Sequence, residues 1–241
     1  MNTNTSMISL REVYFSYSKK KILLNRLNID IKKGMVFCLV GPNGAGKSTT
    51  LKLISGLEKC SIGLIEINGK LLTVNKQEIL KNMFIAIDSS AFYNNLTGYE
   101  NLEIICKYRN LNPNVIKTSL EKFGLKNGIN TKYKEFSYGM KQRLTLSAGS
   151  IFKPKLMILD EPFNGIDPTG VVMLRNYILE LNNDYGTTFL ISSHFLREVG
   201  SFCSHYGILN NGSIIETGSI GDDIEEFENI YISAINKYQQ M

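Results

Sequence analysis

The sequence predicts an α/β fold in which a largely parallel, buried sheet is interrupted by a helical segment. Short apolar runs of strand length recur in both halves of the chain. One of them leads directly into a glycine-rich turn that is followed by a helical pattern. From Leu96 to about Phe152 the signals are helical, with breaks at Asn112-Pro113 and from Gly124 to Gly128. Strands that alternate with helices favour parallel pairing.

The elements before the helical segment are read from alternation and turn residues. "LNIDI" (Leu27–Ile31) alternates as a half-buried strand does. The remaining runs are, in chain order, a strand pair "VYFSYSKKKILL" broken by a polar turn, the strand "MVFCLV" (Met35–Val40), the helix "KSTTLKLISGL" ending near Gly56, the strand "IGLIEING" with a turn at Asn68-Gly69, and the strand "FIAI" (Phe84–Ile87).

Strand patterns return after the helical segment, and the tail is helical. The strand runs are Lys155–Asp160, Thr187–Ser193 and Tyr206–Gly218. From Asp223 onward an apolar stripe has helical spacing and is expected to pack on the body, with members Ile224, Phe227, Tyr231, Ala234 and Tyr238. We therefore expect a discontinuous core of residues 1–88 and 153–218, a helical subdomain of residues 89–152, and a helical tail of residues 219–241.

Composition excludes several classes of protein. With 43% hydrophobic and 20% charged residues, the 241-residue chain can bury a core of one large domain. The net charge of +5 is not concentrated in a basic block, so no nucleic-acid partner is expected. The four cysteines (Cys38, Cys60, Cys106 and Cys203) lack paired spacing and are expected to be reduced. Neither a membrane-spanning apolar stretch nor a secretory signal is evident.

The strongest motif is a phosphate-binding loop. "GPNGAGKST" matches the G-x-x-x-x-G-K-[ST] pattern, and we expect all nine of its residues to contact ATP: Gly41, Pro42, Asn43, Gly44, Ala45, Gly46, Lys47, Ser48 and Thr49. Its backbone N–H groups would surround the phosphates, Lys47 would reach the outer ones, and the Ser48 hydroxyl would ligate Mg²⁺. A purely structural glycine turn is disfavoured because a strand precedes the loop and a helix follows it.

A second motif supplies carboxylates. "LMILDEP" is an apolar strand that delivers Asp160 and Glu161 at its carboxyl end, where ligands bind in open α/β sheets. Asp160 suits coordination of Mg²⁺, directly or through water. Glu161 suits deprotonation of a water that attacks the γ-phosphate. The pattern is only moderately specific by itself, but it is strong beside the phosphate-binding loop.

"FSYGMKQR" raises the question of a second anion site. Ser137 and Gly139 precede a helical run, and the start of a helix attracts anions through free N–H groups and the helix dipole. The order "FSYGMKQR", "LMILDEP", "NGIDP" (Asn164–Pro168) and "ISSH" (Ile191–His194) resembles the ATP-binding subunits of ABC transporters, over nearly the whole chain. That resemblance implies a P-loop NTPase core with an N-terminal antiparallel β region and an inserted helical subdomain.

The resemblance also implies a split ATP site. In that family two subunits pair head to tail with two ATP molecules between them, and the signature of one subunit completes the site of the other. It assigns Ser137, Tyr138, Gly139 and Met140 to a contact with the partner's ATP, and Asp167 to the dimer interface. It further gives Tyr17 a stacking contact with adenine and His194 contact with the γ-phosphate. Lys47, Glu161 and His194 are the expected catalytic residues.

Two positions depart from the family's pattern. Tyr138 stands where the family usually has the first glycine of its signature, and we expect function to survive this. Asp88 stands where most members have a glutamine near Mg²⁺, so the expected metal ligands are Ser48, Asp160 and Asp88. An aspartate at position 88 could instead cap a turn. Acidic residues there, and the run "FYNNLTGYENL", resemble the bacitracin-resistance and lantibiotic-immunity branch.

The expected function is that of an ATPase, with ATP and Mg²⁺ as cofactors, that powers separate membrane subunits and exports a peptide, an antibiotic or a similar compound. The subunit would be cytoplasmic, peripheral on the inner face of the cell membrane, and paired with itself or a related chain. One alternative is a soluble ABC-type ATPase acting on DNA or ribosomes, although such proteins usually carry two cassettes or a long coiled coil. Another is a P-loop kinase, which would not need the Ser137 signature or His194.

Overall fold

Two β-sheets of different character organise the fold. The structure is a computed structural model that describes residues 5–18, 22–87 and 92–239. Within these ranges the strands are β1 (Ser6–Phe15), β2 (Leu24–Lys32), β3 (Val36–Val40), β4 (Ile62–Ile67), β5 (Lys70–Leu71), β6 (Met83–Ala86), β7 (Leu156–Asp160), β8 (Thr188–Ser193), β9 (His205–Asn210) and β10 (Ser213–Ser219).

Helices connect these strands and fill the middle of the chain. They are α1 (Lys47–Ile54), α2 (Leu72–Lys81), α3 (Gly98–Arg109), α4 (Val115–Lys122), α5 (Tyr138–Phe152), α6 (Pro168–Tyr185), α7 (Leu196–Gly200) and α8 (Ile224–Gln239). Short 3₁₀ turns follow α4 at Lys126–Ile129 and Tyr133–Glu135. None of the helices in the described ranges combines the length and the hydrophobicity that crossing a lipid bilayer requires.

The first sheet is antiparallel, with strand order β2-β1-β4-β5. In β2 buried and exposed residues alternate along most of the strand, as expected for a sheet with one face on the core. Of the strand expected at "ILL", only Leu24 is in a strand. It begins β2, which continues through "LNIDI", and it pairs with Phe15. The polar turn at residues 19–21 lies outside the described part of the chain.

The second sheet has strand order β10-β9-β3-β8-β7-β6, and all neighbours except β9 and β10 are parallel. Every residue of β3 and β8 is buried, although β8 includes Thr188, Ser192 and Ser193. Burial on both faces explains why β3 is a continuous apolar run. Because parallel strands end at the same edge, the residues after β3, β7 and β8 meet there. This architecture confirms the predicted α/β fold class.

The helical segment lies between β6 and β7, which pair directly in parallel. Helices α3, α4 and α5 pack around their own apolar cluster, which includes Leu102, Ile116 and Leu144. A capping box at Thr97 begins α3, and its hydrogen bonds lower the pKa of Glu100. Helix α2 was not predicted, because its few apolar positions do not form a continuous stripe.

Tyr177 on α6 carries a buried hydroxyl at the junction between the helical segment and the sheet. Its ring meets Phe123 edge to face at 5.0 Å, and only 2% of the residue is exposed. The hydroxyl has no hydrogen-bond partner among the described residues. A side chain at Gly149 would place its Cβ 3.3 Å from this oxygen. Burial raises the pKa of the Tyr177 hydroxyl well above its usual range.

Removing this hydroxyl should therefore not destabilise the protein. For Tyr177→Phe we expect the free energy of unfolding in urea to stay constant or rise by up to about 1 kcal/mol, since an unpaired polar group leaves the interior. Thr187→Val is the matched control, because the buried Thr187 Oγ1 donates to the Pro154 carbonyl at 2.7 Å. That variant should lose about 1–3 kcal/mol. Equal losses in both variants would mean that Tyr177 is hydrogen-bonded after all.

Candidate functional site

The glycine-rich loop follows β3 at the edge where the parallel strands end. Gly41 packs so closely on β9 that a Cβ there would lie 2.1 Å from the Leu209 carbonyl oxygen. Gly46 has a φ of 107°, a left-handed conformation that favours glycine. It precedes α1, whose first N–H groups lack partners within the helix. The loop therefore has the backbone geometry that the predicted anion site at the start of a helix requires.

The Lys47 side chain is held under the loop and is only 6% exposed. Its Nζ donates to the Gly41 carbonyl at 2.8 Å and to the Pro42 carbonyl at 3.4 Å. The same ammonium lies 3.4 Å from Glu161 Oε1. These contacts fix a positive charge beside the loop and connect it to the carboxylate that follows β7.

Asp160 and Ser192 are opposite each other at the ends of β7 and β8. The buried Ser192 hydroxyl donates to Asp160 Oδ1 at 2.5 Å. On the other side, Ser48 Oγ donates to the same oxygen at 3.2 Å. The Asp160 carboxylate is thus oriented by one hydroxyl from β8 and meets a second from the glycine-rich loop.

Glu161 occupies a left-handed conformation with a φ of 46°. Its backbone N–H donates to Ser192 Oγ at 2.9 Å and to the Ser192 carbonyl at 3.2 Å, which stabilises this uncommon geometry. The two oxygens of its carboxylate face different partners, Lys47 Nζ at 3.4 Å and His194 Nδ1 at 2.9 Å. The strained turn therefore directs the carboxylate between the loop and the end of β8.

Tyr17 lies beside the start of α1. Its hydroxyl is 3.4 Å from Thr49 Oγ1, and its ring meets Phe15 edge to face at 4.7 Å. The residue is 61% exposed, so much of its surface is open to solvent next to the glycine-rich loop. This position is compatible with the predicted stacking on a base.

The predicted signature begins α5. Ser137 is the N-cap, and its hydroxyl accepts from the Met140 N–H at 3.3 Å. Ser137 is exposed, and a side chain at Gly139 would meet no atom within 4 Å. In the described ranges no hydrogen bond joins Ser137 to the residues of the glycine-rich loop. The predicted second anion site is therefore exposed to solvent.

Asp167 begins α6 in the same way. Its Oδ1 accepts from the Gly170 N–H at 2.6 Å, and its Oδ2 lies 3.5 Å from Arg143 Nη2 on α5. Asp167 is largely exposed. Asp88, the third expected metal ligand, lies outside the described part of the chain.

The structure brings together Lys47, Ser48, Asp160, Glu161 and His194, while Ser137 of the signature forms no hydrogen bond to the glycine-rich loop within the described ranges. Sequence reasoning missed Ser192, which bonds to Asp160 and to the backbone of Glu161. The motif "ISSH" contained it, but only the pairing of β7 with β8 shows which serine faces the carboxylates. It also missed Arg143, which contacts Asp167 at the end of the loop after β7, and Gln142, which bonds to the Tyr138 hydroxyl one turn earlier on α5.

Known proteins resemble this chain in sequence and in fold. The model of the ABC transporter family matches residues 24–164. The uncharacterised ABC transporter ATP-binding protein YcbN of Bacillus subtilis is 37% identical over 93% of this chain and 73% of its own length. The bacitracin transport ATP-binding protein BcrA of Bacillus licheniformis is 38% identical, over 90% of this chain and 70% of its own.

Two further similarities extend the comparison. The lantibiotic transport ATP-binding protein SrtF of Streptococcus pyogenes is 39% identical over 87% of this chain and 89% of its own length. A solved structure described as the ATP-binding subunit of an ABC transporter superposes with a TM-score of 0.85 at 26% identity, covering 95% of this chain and all of its own.

We expect the Ser192 hydroxyl to contribute to the rate of ATP hydrolysis. Ser192→Ala removes the hydroxyl that orients Asp160 and accepts from the Glu161 N–H, so we expect the ATPase kcat to fall about tenfold. Ser193→Ala is the matched control, because the neighbouring buried hydroxyl accepts instead from the Phe195 N–H at 3.0 Å. Its kcat should stay within about twofold of the original. Equal rates for the two variants in steady-state phosphate release would contradict the role of Ser192.

Proposed function

The chain belongs to the ABC transporter family as an ATP-binding subunit that hydrolyses ATP, and we propose that the residues gathered around Glu161 carry out this hydrolysis to drive separate membrane subunits. The observation that carries the proposal is the position of the Glu161 carboxylate, with one oxygen 3.4 Å from Lys47 Nζ and the other 2.9 Å from His194 Nδ1. It joins the phosphate-binding loop to the end of β8.

Each residue receives a role from its position. Lys47 neutralises charge on the outer phosphates, which replace Glu161 as its anionic partner. Glu161 accepts a proton from the attacking water, and His194 orients the Glu161 carboxylate from the side opposite Lys47. Ser192 holds the Asp160 carboxylate and the Glu161 backbone in place. The Tyr17 ring stacks on the adenine. These roles extend the predictions made from the motifs.

The residues present suit Mg²⁺ as a cofactor. Ser48 Oγ and Asp160 Oδ1 are 3.2 Å apart, and both are oxygen ligands of the kind Mg²⁺ prefers. In the described ranges no group of three or more acidic, histidine or cysteine residues could hold a metal ion. A site with one carboxylate and one hydroxyl matches Mg²⁺ that is also bound by substrate phosphates. The bound ion would neutralise phosphate charge.

The exposed signature supports a dimer. Ser137 is the exposed N-cap of α5 and forms no hydrogen bond to the glycine-rich loop among the described residues, which suits an anion site that a second subunit completes. We propose that they bind the ATP of a second subunit, which is either the same chain or a related one. Asp167 would lie at the same interface. ATP would then join the subunits, and hydrolysis would release them.

Two relatives suggest the cargo. BcrA is named as a bacitracin transport protein and SrtF as a lantibiotic transport protein. We propose that this subunit likewise serves export of a peptide antibiotic or a similar compound, attached to membrane subunits at the inner face of the cell membrane. Action on DNA or ribosomes is not favoured, because these relatives are named for transport and the positive charge of this chain is not concentrated in a basic block.

Two substitutions separate chemistry from binding. Glu161→Gln should retain ATP binding and lose at least about a hundredfold in kcat, since the amide does not accept the proton. Lys47→Ala should lose hydrolysis and also bind ATP more weakly, because the cation is gone. Glu121→Gln, on an exposed residue of α4, is the matched control. Fluorescent-nucleotide titration and phosphate release measure the two effects. A Glu161→Gln protein that turns over normally would contradict the assignment.

Fractionation of the native cell tests the transport role. The protein should pellet with membranes through its membrane subunits and leave them when those subunits are deleted. It should not follow ribosomes or nucleoids on a density gradient. Sedimentation with ribosomes after membranes have been removed would support the alternative instead.

A further inference from the structure

The Tyr138 ring lies over the backbone of Gly165 in the loop after β7. A side chain at Gly165 would place its Cβ 2.8 Å from Tyr138 Cε1 and 2.9 Å from Cδ1. Gly165 also has a φ of 65°, which favours glycine. The loop therefore approaches α5 at a point where both the backbone conformation and the ring require the smallest residue.

Gln142 fixes the orientation of this ring. It lies one turn after Tyr138 on the same face of α5, and its Nε2 donates to the Tyr138 hydroxyl at 3.1 Å. Both side chains line a cleft of about 220 Å³ whose other walls include Glu161 and Asn164. The start of α5 thus borders the predicted catalytic carboxylate of its own chain.

A second contact holds the same loop. Arg143 Nη2 lies 3.5 Å from Asp167 Oδ2, at the end of the loop where α6 begins. Arg143 is mostly buried, and its Nε has no hydrogen-bond partner among the described residues. The residues from Glu161 to Asp167 are consequently attached to α5 at two places, the Gly165 backbone and the Asp167 side chain.

We propose that Tyr138 is a positioning residue that ties the signature to the loop following Glu161 in the same chain. The inference rests on the proposed function, in which Ser137 contacts the partner's ATP while Glu161 acts on the chain's own. Since the tether makes Ser137 and Glu161 move together, ATP in one site adjusts the carboxylate of the other. Coupling between the two sites is then carried by a side chain at a position where the family usually has glycine.

Substitutions of Tyr138 test the tether through their effect on the ATPase kcat. Tyr138→Ala should lower kcat about tenfold and change the half-saturating ATP concentration by less than about twofold, since positioning rather than binding is lost. Tyr138→Phe, which keeps the ring over Gly165, should retain most of the rate. Tyr108→Ala, on an exposed tyrosine of α3, is the control.

Gly165→Ala distinguishes the tether from a direct contact of Tyr138 with the partner's ATP. The added Cβ collides with the ring only when Tyr138 is present. Its effect on kcat should therefore be at least about fivefold larger in the original protein than in the Tyr138→Ala background. Independent effects that multiply would overturn the proposal.

Hydrogen exchange of the full-length chain provides a readout that does not depend on hydrolysis. Amides of residues 163–167 should exchange faster in Tyr138→Ala than in Tyr138→Phe, while α6 beyond Gly170 stays protected. Unchanged exchange in this loop would overturn the tether, whatever the kinetics. If the original protein binds no ATP, the proposed function fails, and hydrogen exchange alone decides the tether.

Discussion

The parallel pairing of β7 with β8 is the constraint on which the site depends. Because Asp160 and Ser192 are opposite each other, one hydroxyl can donate to the Asp160 carboxylate and accept from the Glu161 N–H. That N–H bond supports the left-handed turn at Glu161, and the turn directs the carboxylate between Lys47 and His194. A shift of one residue in the register between β7 and β8 would turn their side chains to the opposite face and separate Ser192 from Asp160.

The strands explain why so much of the site is readable from sequence. β3 and β7 are apolar runs; Gly41 directly follows β3 and Asp160 is the last residue of β7, so each motif begins where its strand ends. The roles predicted for Lys47 and Glu161 follow from residue type and spacing alone. Ser192 could not be identified in this way, because "ISSH" offers two buried serines and only the register shows which one faces Asp160.

Other features depend on contacts between distant segments. In the sequence, Tyr138 is only a departure from the glycine of the family signature. The residues next to it do not indicate that its ring covers Gly165. The unpaired hydroxyl of Tyr177 is likewise a matter of packing between segments, which the local sequence does not show. Helix α2 escaped prediction because its apolar positions are few, and packing against the first sheet rather than amphipathic patterning defines it.

If the signature of one chain completes the ATP site of another, the chain should associate with itself only when ATP is bound. A Glu161→Gln protein, which binds ATP without hydrolysing it, is passed through size-exclusion chromatography with light scattering, with and without ATP. We expect a dimer in saturating ATP and a monomer without nucleotide. Adding Ser137→Arg to this protein should abolish the dimer while each chain still binds ATP, because the arginine blocks the contact with the partner's phosphates. A dimer that forms equally well with arginine at position 137 would contradict the split site.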